Sequence, residues 1–455
     1  MRYLSTRGLT PSATFSQTVA QGLAPDGGLY VPETLPFIGD RLLEWSALGY
    51  EALVYEFLQL FADDVPANRL RLLEEHAYER FPHPNPAPLK QLSPELFVLE
   101  LFHGPTFAFK DFPLQLLGNL YEEQIERTGQ PIHVLGATSG DTGSAAICGL
   151  QGKKGVATFI LYPKGRIAEL QERQMTTTGA SNVFPIAIDG TYDDAHRIVK
   201  ALFNDRPFCE RMRLSAVNSI NVVRLFAQAV YYLWAWFQLP EEARRQVQFV
   251  VPSGNSGNVI AGWWLERMGL PVHSWRLATN QNDLLYRLLT TGTFEPGSVL
   301  PSRAPSMDIQ MASNFERFVY YHEDQNPERV RNIMDTIQRT GRYHFDNFRP
   351  MGLVGSRCTD AMIVERIRET YDRYGYIIDP HTACGMQDLD LTKTSVVLAT
   401  AHPAKFPNTV QDAIGITPTL PELEALKNKP SKRFELPADV EAVRAFIEQN
   451  EHVYG

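Results

Sequence analysis

The chain is poor in cysteine, has no excess of positive charge and contains no long hydrophobic run, and each shortage narrows what it does. Its four cysteines, Cys148, Cys209, Cys358 and Cys384, are spread over 455 residues. They form no C-x-x-C pair, so neither a zinc site nor a disulfide framework is expected, and reduced thiols in a cytoplasmic protein fit best. A formal charge of −9 gives no electrostatic footprint for nucleic acid or an anionic membrane. The longest near-apolar stretch, Leu225 to Phe237, contains Gln228 and is too short to span a bilayer, so it reads as a buried helix. Met1-Arg2-Tyr3 leads into polar sequence, so no signal peptide is expected. No internal repeat or low-complexity tract is present.

What is there belongs to a globular protein. Apolar residues make up 44% and charged residues 21%, which excludes a disordered chain, and the length calls for two or three domains. Residues 13–22 and 50–62 carry apolar positions at helical spacing, with a turn at Ala24-Pro25-Asp26-Gly27-Gly28 between them. A proline-rich stretch from Phe81 to Pro88 reads as a linker. Strands then alternate with helices. The strands are expected at Leu96–Leu101, Ile132–Leu135, Val156–Tyr162, Val183–Ile188, Val247–Val251 and from Ser395 to Ala399. Apolar strands in alternation with helices predict an α/β fold with parallel sheets covered on both faces. Residues 280–380 read as helix-rich, with solvated charged faces.

The most informative residue is Lys110, in His103-Gly104-Pro105-Thr106-Phe107-Ala108-Phe109-Lys110-Asp111. A lysine behind a Gly-Pro turn and apolar residues is poorly hydrated, and its ammonium form is disfavoured. A neutral amine is the form that attacks a carbonyl to make a Schiff base. Taken alone, such a lysine more often packs its stem and keeps its head in water.

Three loops reverse that judgement. Gly136-Ala137-Thr138-Ser139-Gly140-Asp141-Thr142-Gly143-Ser144 follows a strand and opens a helix, an arrangement that receives a carboxylate or phosphate. Pro252-Ser253-Gly254-Asn255-Ser256-Gly257-Asn258 is again strand, loop, helix, and can fold into a nest of N–H groups around a phosphate. It lacks the lysine of a Walker loop and the third glycine of the dinucleotide fingerprint. Thr400, in Leu398-Ala399-Thr400-Ala401-His402-Pro403-Ala404-Lys405-Phe406, ends the last strand, where ligands of open α/β sheets bind. Each loop by itself is also a capped turn. Asn218-Ser219-Ile220-Asn221 and Asp379-Pro380-His381-Thr382-Ala383 read equally well as helix N-caps.

Together these motifs resemble the pyridoxal-phosphate enzymes of the tryptophan-synthase β type (fold type II), and within them the threonine synthase family. The matching stretches include Tyr3-Leu4-Ser5-Thr6-Arg7, Gly22 to Pro32, His103 to Asp111, Gly136 to Gly143, Val251 to Asn258, Pro305-Ser306-Met307-Asp308-Ile309, Ser313-Asn314-Phe315-Glu316-Arg317, Asp379 to Ala383 and Ala401 to Phe406. Two positions depart from the family: Ser256 stands where phenylalanine is frequent, and Ala108 where serine is. Neither change removes a backbone donor or the amine.

The resemblance implies roles. Lys110 would carry pyridoxal 5'-phosphate as a Schiff base. Gly254, Asn255, Ser256, Gly257 and Asn258 would cradle its phosphate, and Thr400 would face its ring nitrogen. Thr138, Ser139, Gly140, Asp141 and Thr142 would surround the substrate carboxylate and the ring oxygen. Arg224, Lys405 and Asn218 to Asn221 are candidates for the substrate phosphate. The reaction implied is O-phospho-L-homoserine plus water to L-threonine plus phosphate, in a cytoplasmic monomer or small homo-oligomer without metal. A serine/threonine dehydratase, a phosphate-releasing relative and a binding module without chemistry are the competing readings. The implied organisation is a mainly helical region 1–93, a discontinuous cofactor-binding domain 94–130 and 205–420, a smaller substrate domain 131–204 and a helical tail 421–455.

Overall fold

The computed structural model describes residues 1–454. Two mostly parallel sheets carry the architecture. The larger has six strands in the order Leu353–Arg357, Ser274–Thr279, Val247–Pro252, Thr394–Ala399, Leu96–Glu100 and Leu89–Gln91. All neighbours are parallel except the last pair, in which Leu89–Gln91 runs antiparallel along the edge. The smaller has five parallel strands in the order Phe434–Pro437, Val183–Asp189, Val156–Pro163, Ile132–Ala137 and Leu214–Ala216.

The expected strands form where they were read, because uninterrupted Val, Ile, Leu and Phe runs suit strands buried on both faces. Val156–Pro163 is buried along its whole length. The helix Val222–Gln238 is apolar nearly all round and lies against Asp111–Thr128, Gly257–Arg267 and Tyr50–Gln59 in the central core.

Several features differ from the sequence reading, which also left out the strand Ser274–Thr279 inside the larger sheet and Leu89–Gln91 on its edge. The N-terminal region is not helical throughout: Tyr3–Ser5 and Tyr30–Pro32 pair antiparallel. It also holds a helix at Ala67–Tyr78 that the sequence reading did not mark. The segment 280–380 contains the edge strand Leu353–Arg357 among its helices. The tail 421–455, expected as helical, supplies the strand Phe434–Pro437, which pairs with Val183–Asp189. With Leu214–Ala216 on the other edge, the smaller sheet therefore draws on residues well outside 131–204. These strands are short, and Phe434–Pro437 follows Lys432 and Arg433, so hydrophobic periodicity does not mark it.

Candidate active site

The lysine turn is locked from inside. The carboxylate of Asp111 accepts bonds from the Thr106 N–H at 2.8 Å and the Thr106 hydroxyl at 2.6 Å, closing the turn ahead of the helix Asp111–Thr128. A Cβ on Gly104 would stand 2.5 Å from Asp111 Cβ, so only glycine lets the turn close. The turn is also sewn to the end of the strand Thr394–Ala399: the Phe109 N–H donates to the Thr400 carbonyl at 2.9 Å and the His402 N–H to the Phe107 carbonyl at 3.0 Å. Ala108 bridges Ala401 with no exposed surface, so the departure at 108 fills a tight contact. This stitching places Lys110 beside Thr400.

The neighbouring strand Val247–Pro252 leads into the glycine loop. Its Gly254, Asn255 and Gly257 N–H groups have no backbone acceptor, while the Ser256 N–H donates to Ser253 Oγ at 3.1 Å. Ser256 sits at φ +61° as the N-cap of the helix Gly257–Arg267, a left-handed conformation that opens the loop. Asn258 Oδ1 accepts from Tyr232 at 2.7 Å and also from Tyr231, which fixes its amide.

The Ser139–Thr142 loop arrives from the smaller sheet. Asp141 Oδ1 accepts from Lys405 at 2.6 Å and from Gln171 Nε2 at 2.8 Å; its Oδ2 accepts from Ser306 Oγ at 2.9 Å and lies 3.8 Å from Lys110 Nζ. Burial would raise this carboxyl, but Lys405, then Lys110 and His381, hold it well below the usual carboxylate range. Burial pulls the Lys110 amine down to about 8 against the opposing pull of Asp141, with Arg224 and Lys405 assisting.

One cavity brings together Lys110, Ser139, Asp141, Thr142, Gly254, Asn255, Ser256, Gly257, Asn258 and Thr400. Thr138 and Gly140 do not line it. Thr138 Oγ1 accepts from the Gly140 and Gly143 N–H groups at 3.0 and 2.8 Å, so its hydroxyl shapes the loop. Asn218, Ser219 and Arg224 do line the cavity, and burial pulls the Arg224 guanidinium down to about 10. Lys405 does not; it is spent on Asp141 and on the Thr106 carbonyl at 2.9 Å. Tyr192, Gln228, Ser306 and His381 also line the wall. Sequence reasoning had Ser306 and His381 only inside matching stretches, and nothing marked Tyr192 or Gln228. A wider groove lined by Arg206 and Arg213 opens at the amino ends of Ile132–Ala137 and Leu214–Ala216, remote from these groups and at the wrong end of the strands for ligand chemistry.

The residues suit an anionic, ring-bearing cofactor. Ser256 Oγ, Asn258 Nδ2, Arg224 Nε and Gln228 Oε1 are buried side-chain atoms of the cavity wall with no partner in the protein. A Cβ on Gly254 would come within 2.9 Å of Ile309 Cδ1, and one on Gly257 within 2.9 Å of Asn314 Nδ2, so a larger residue at either position would have to push a neighbouring side chain aside.

A further residue holds these parts in register. Arg317 is fully buried and donates to the Tyr30 carbonyl at 2.9 Å, the Ile220 carbonyl at 2.6 Å and Asn314 Oδ1 at 2.5 Å. Asn314 Nδ2 reaches the Ser219 carbonyl at 3.2 Å, and the Asn314 N–H donates to the Asn255 carbonyl at 3.1 Å. One side chain thus ties the N-terminal strand pair to the Asn218–Asn221 segment and to the glycine loop.

Comparison with known proteins agrees. Residues 2–78 match the family described as "Threonine synthase N terminus", 81–399 "Pyridoxal-phosphate dependent enzyme" and 382–447 "Threonine synthase, C-terminal". Threonine synthase of Pseudomonas aeruginosa is 42% identical, covering 99% of this chain and 98% of the relative. The chain belongs to the threonine synthase family. A crystal structure of PLP-bound threonine synthase from Brucella melitensis superposes with a TM-score of 0.93 at 38% identity, covering 99% of this chain and 100% of that one. Threonine synthase-like 2 of mouse is 35% identical over 95% of this chain and 93% of its own length. The fold is the type II pyridoxal-phosphate fold, and pyridoxal 5'-phosphate is the cofactor of this threonine synthase family member.

Proposed function

We infer that the chain converts O-phospho-L-homoserine and water into L-threonine and phosphate. The observation that carries this is the meeting of Lys110, the glycine loop, Thr400 and the buried cation Arg224 in one cavity. Lys110 Nζ would hold the cofactor aldehyde carbon. Gly254, Asn255, Ser256, Gly257 and Asn258 would hold its phosphate through backbone N–H groups and the unpartnered Ser256 hydroxyl. Thr400 would meet its ring nitrogen. Bound there, the cofactor supplies an electron sink for carbanions next to the amino group.

The protein does the rest with its own groups. Ser139, Thr142 and the N–H groups at the start of the helix Asp141–Leu150 orient the substrate carboxylate, with Thr138 and Gly140 setting the shape of that loop. Arg224, with Asn218 and Ser219, anchors the substrate phosphate. Lys110 Nζ would take the Cα proton as general base and return one at the end. The Cβ proton passes to the Lys110 amine as the γ-phosphate departs from Cγ, the amine returns a proton to Cγ to make the methyl group, and water then adds its hydroxyl at Cβ while its remaining proton goes to the released phosphate. A neutral hydroxyl such as that of Thr400 at the ring nitrogen would leave it less fully protonated than a carboxylate would, which would favour elimination and replacement over transamination.

The half of the molecule built on the smaller sheet, centred on residues 131–204, is read as the substrate domain that closes on the cofactor domain formed by 94–130 and 205–420. The region 1–93 and the segment from 421 onward flank them. The same reading includes a monomer or small homo-oligomer, and among the described residues no helix is long and apolar enough to cross a membrane. A cytoplasmic setting is part of the same reading.

Product analysis with O-phospho-L-homoserine tests the assignment. Equimolar threonine and phosphate are expected. Phosphate accompanied by 2-oxobutyrate would instead mark a phospho-lyase.

A further inference from the structure

Asp141 is one carboxylate placed between two lysines. Its distances to them are unequal: 2.6 Å to Lys405 and 3.8 Å to Lys110. Lys405 has no exposed side-chain surface, and its other partner is the Thr106 carbonyl at 2.9 Å, on the turn that carries Lys110. It does not line the cavity, so it is not placed to touch substrate or cofactor. A buried ammonium without function is costly, and here it also bridges the turn of the larger sheet to the loop of the smaller one.

We propose that Lys405 is a positioning residue that claims the Asp141 carboxylate, so that this carboxylate stands off from the neighbouring Lys110 amine and holds a proton on it less tightly than a direct pair would. This extends the reading of Lys110 as the Schiff-base lysine and names the group that prepares it.

The charges around the pair bear this out. Lys110 faces Asp141, Arg224 and Lys405; of these only Asp141 favours its ammonium form. Asp141 faces Lys405, Lys110 and His381, and its remaining oxygen capacity is taken by Gln171 and Ser306. His381 is itself held by Asp379 through its Nδ1 at 2.6 Å and accepts the Ser306 N–H at 3.1 Å on Nε2. Asp111, the other acid within the field of Lys405, is consumed by Thr106. Among the described residues, Lys405 at 2.6 Å is the one cation within hydrogen-bond distance of Asp141, and Lys110 lies farther off at 3.8 Å. Without Lys405, the carboxylate would turn to Lys110 and hold a proton there.

The test is competitive acylation of the full-length protein freed of cofactor, with the Lys110 peptide followed by mass spectrometry from about pH 6 to about pH 10. Each unit of midpoint shift is about a tenfold change in the reactive fraction on the acid side. In the natural protein Lys110 should label with a midpoint near 8. Lys405→Met should move the midpoint up by at least about one unit, so that labelling at pH 7 falls about tenfold. Lys405→Arg keeps the charge and should restore most of the labelling. Asp141→Asn should move the midpoint down, a direction that loss of structure does not produce. An unmoved midpoint in folded Lys405→Met overturns the proposal; if that variant does not fold, an unmoved or raised midpoint in Asp141→Asn overturns it. Borohydride mapping of the holoenzyme tests the role of Lys110 separately, so failure of one reading is distinguishable from failure of the other.

Discussion

At the residue scale the site depends on a few buried side chains, of which Lys110 is the most exacting. Lys110→Ala is expected to lower threonine formation by at least about a thousandfold, as loss of a nucleophile and base together should, while circular dichroism stays unchanged. Ser256 is the more selective probe, because its buried hydroxyl has no acceptor or donor in the protein. If that hydroxyl meets the cofactor phosphate, Ser256→Ala should weaken cofactor affinity about five- to tenfold, roughly 1–1.5 kcal/mol, with little change in kcat at saturating cofactor. Equilibrium dialysis of the cofactor checks it. Legibility at this scale was uneven for a physical reason. Lys110, the glycine loop and Thr400 sit at strand ends, where local sequence announces a turn. Tyr192 and Gln228 reach the site from ordinary helical positions, and only the long-range fold brings them there; Lys405 was marked as a candidate, but its bond to Asp141 was not legible because that partner lies far away in the chain.

At the scale of elements, the staple on Arg317 and the helix Ala67–Tyr78 make opposite demands on charge. Burial pulls the Arg317 guanidinium down to about 9, yet its donors are matched to backbone and amide oxygens of three separate segments. Arg317→Lys keeps a cation but loses the fork, and should cost about 2–4 kcal/mol in urea unfolding. It should also loosen the cofactor, because the glycine loop hangs on Asn314. Glu74 is the reverse case. Its carboxyl is buried with one oxygen unpartnered, and burial pushes it up to about 9, with Arg71 opposing. An acid raised in the folded state costs nothing below its unfolded value near ~4.3, and the cost grows as pH climbs from there toward 9. Glu74→Gln should therefore match the natural protein near pH 4 and exceed it by about 1–3 kcal/mol at pH 7, read from urea midpoints at the two pH values. The long apolar strands were legible because their composition permits no other burial. Tyr3–Ser5, Leu214–Ala216 and Phe434–Pro437 were not, because strands of three or four residues owe their pairing to partners far away in the chain.

At the scale of the whole molecule, the end of the chain belongs to the smaller sheet. Phe434–Pro437 covers the edge of Val183–Asp189, and Val443 and Ile447 are buried against Ile198, Leu202 and Phe208. Removing residues 430–455 would strip about 4 kcal/mol of apolar burial from that sheet through Val443 and Ile447 alone. Hydrogen exchange across 183–189 should then rise well above that of the larger sheet. The site spans both sheets, so threonine formation should fall with it, even though every residue lining the cavity is retained. Asp141 from one half and Lys405 from the other make the same point at close range: the ion pair that readies the amine exists only when the two halves meet.

The most direct measurement is borohydride reduction of the purified protein with its cofactor, followed by peptide mapping. A single pyridoxyl adduct on Lys110 is the expected result. An adduct on another lysine, or none, would contradict the assignment on which the site, the chemistry and the role of Lys405 all depend.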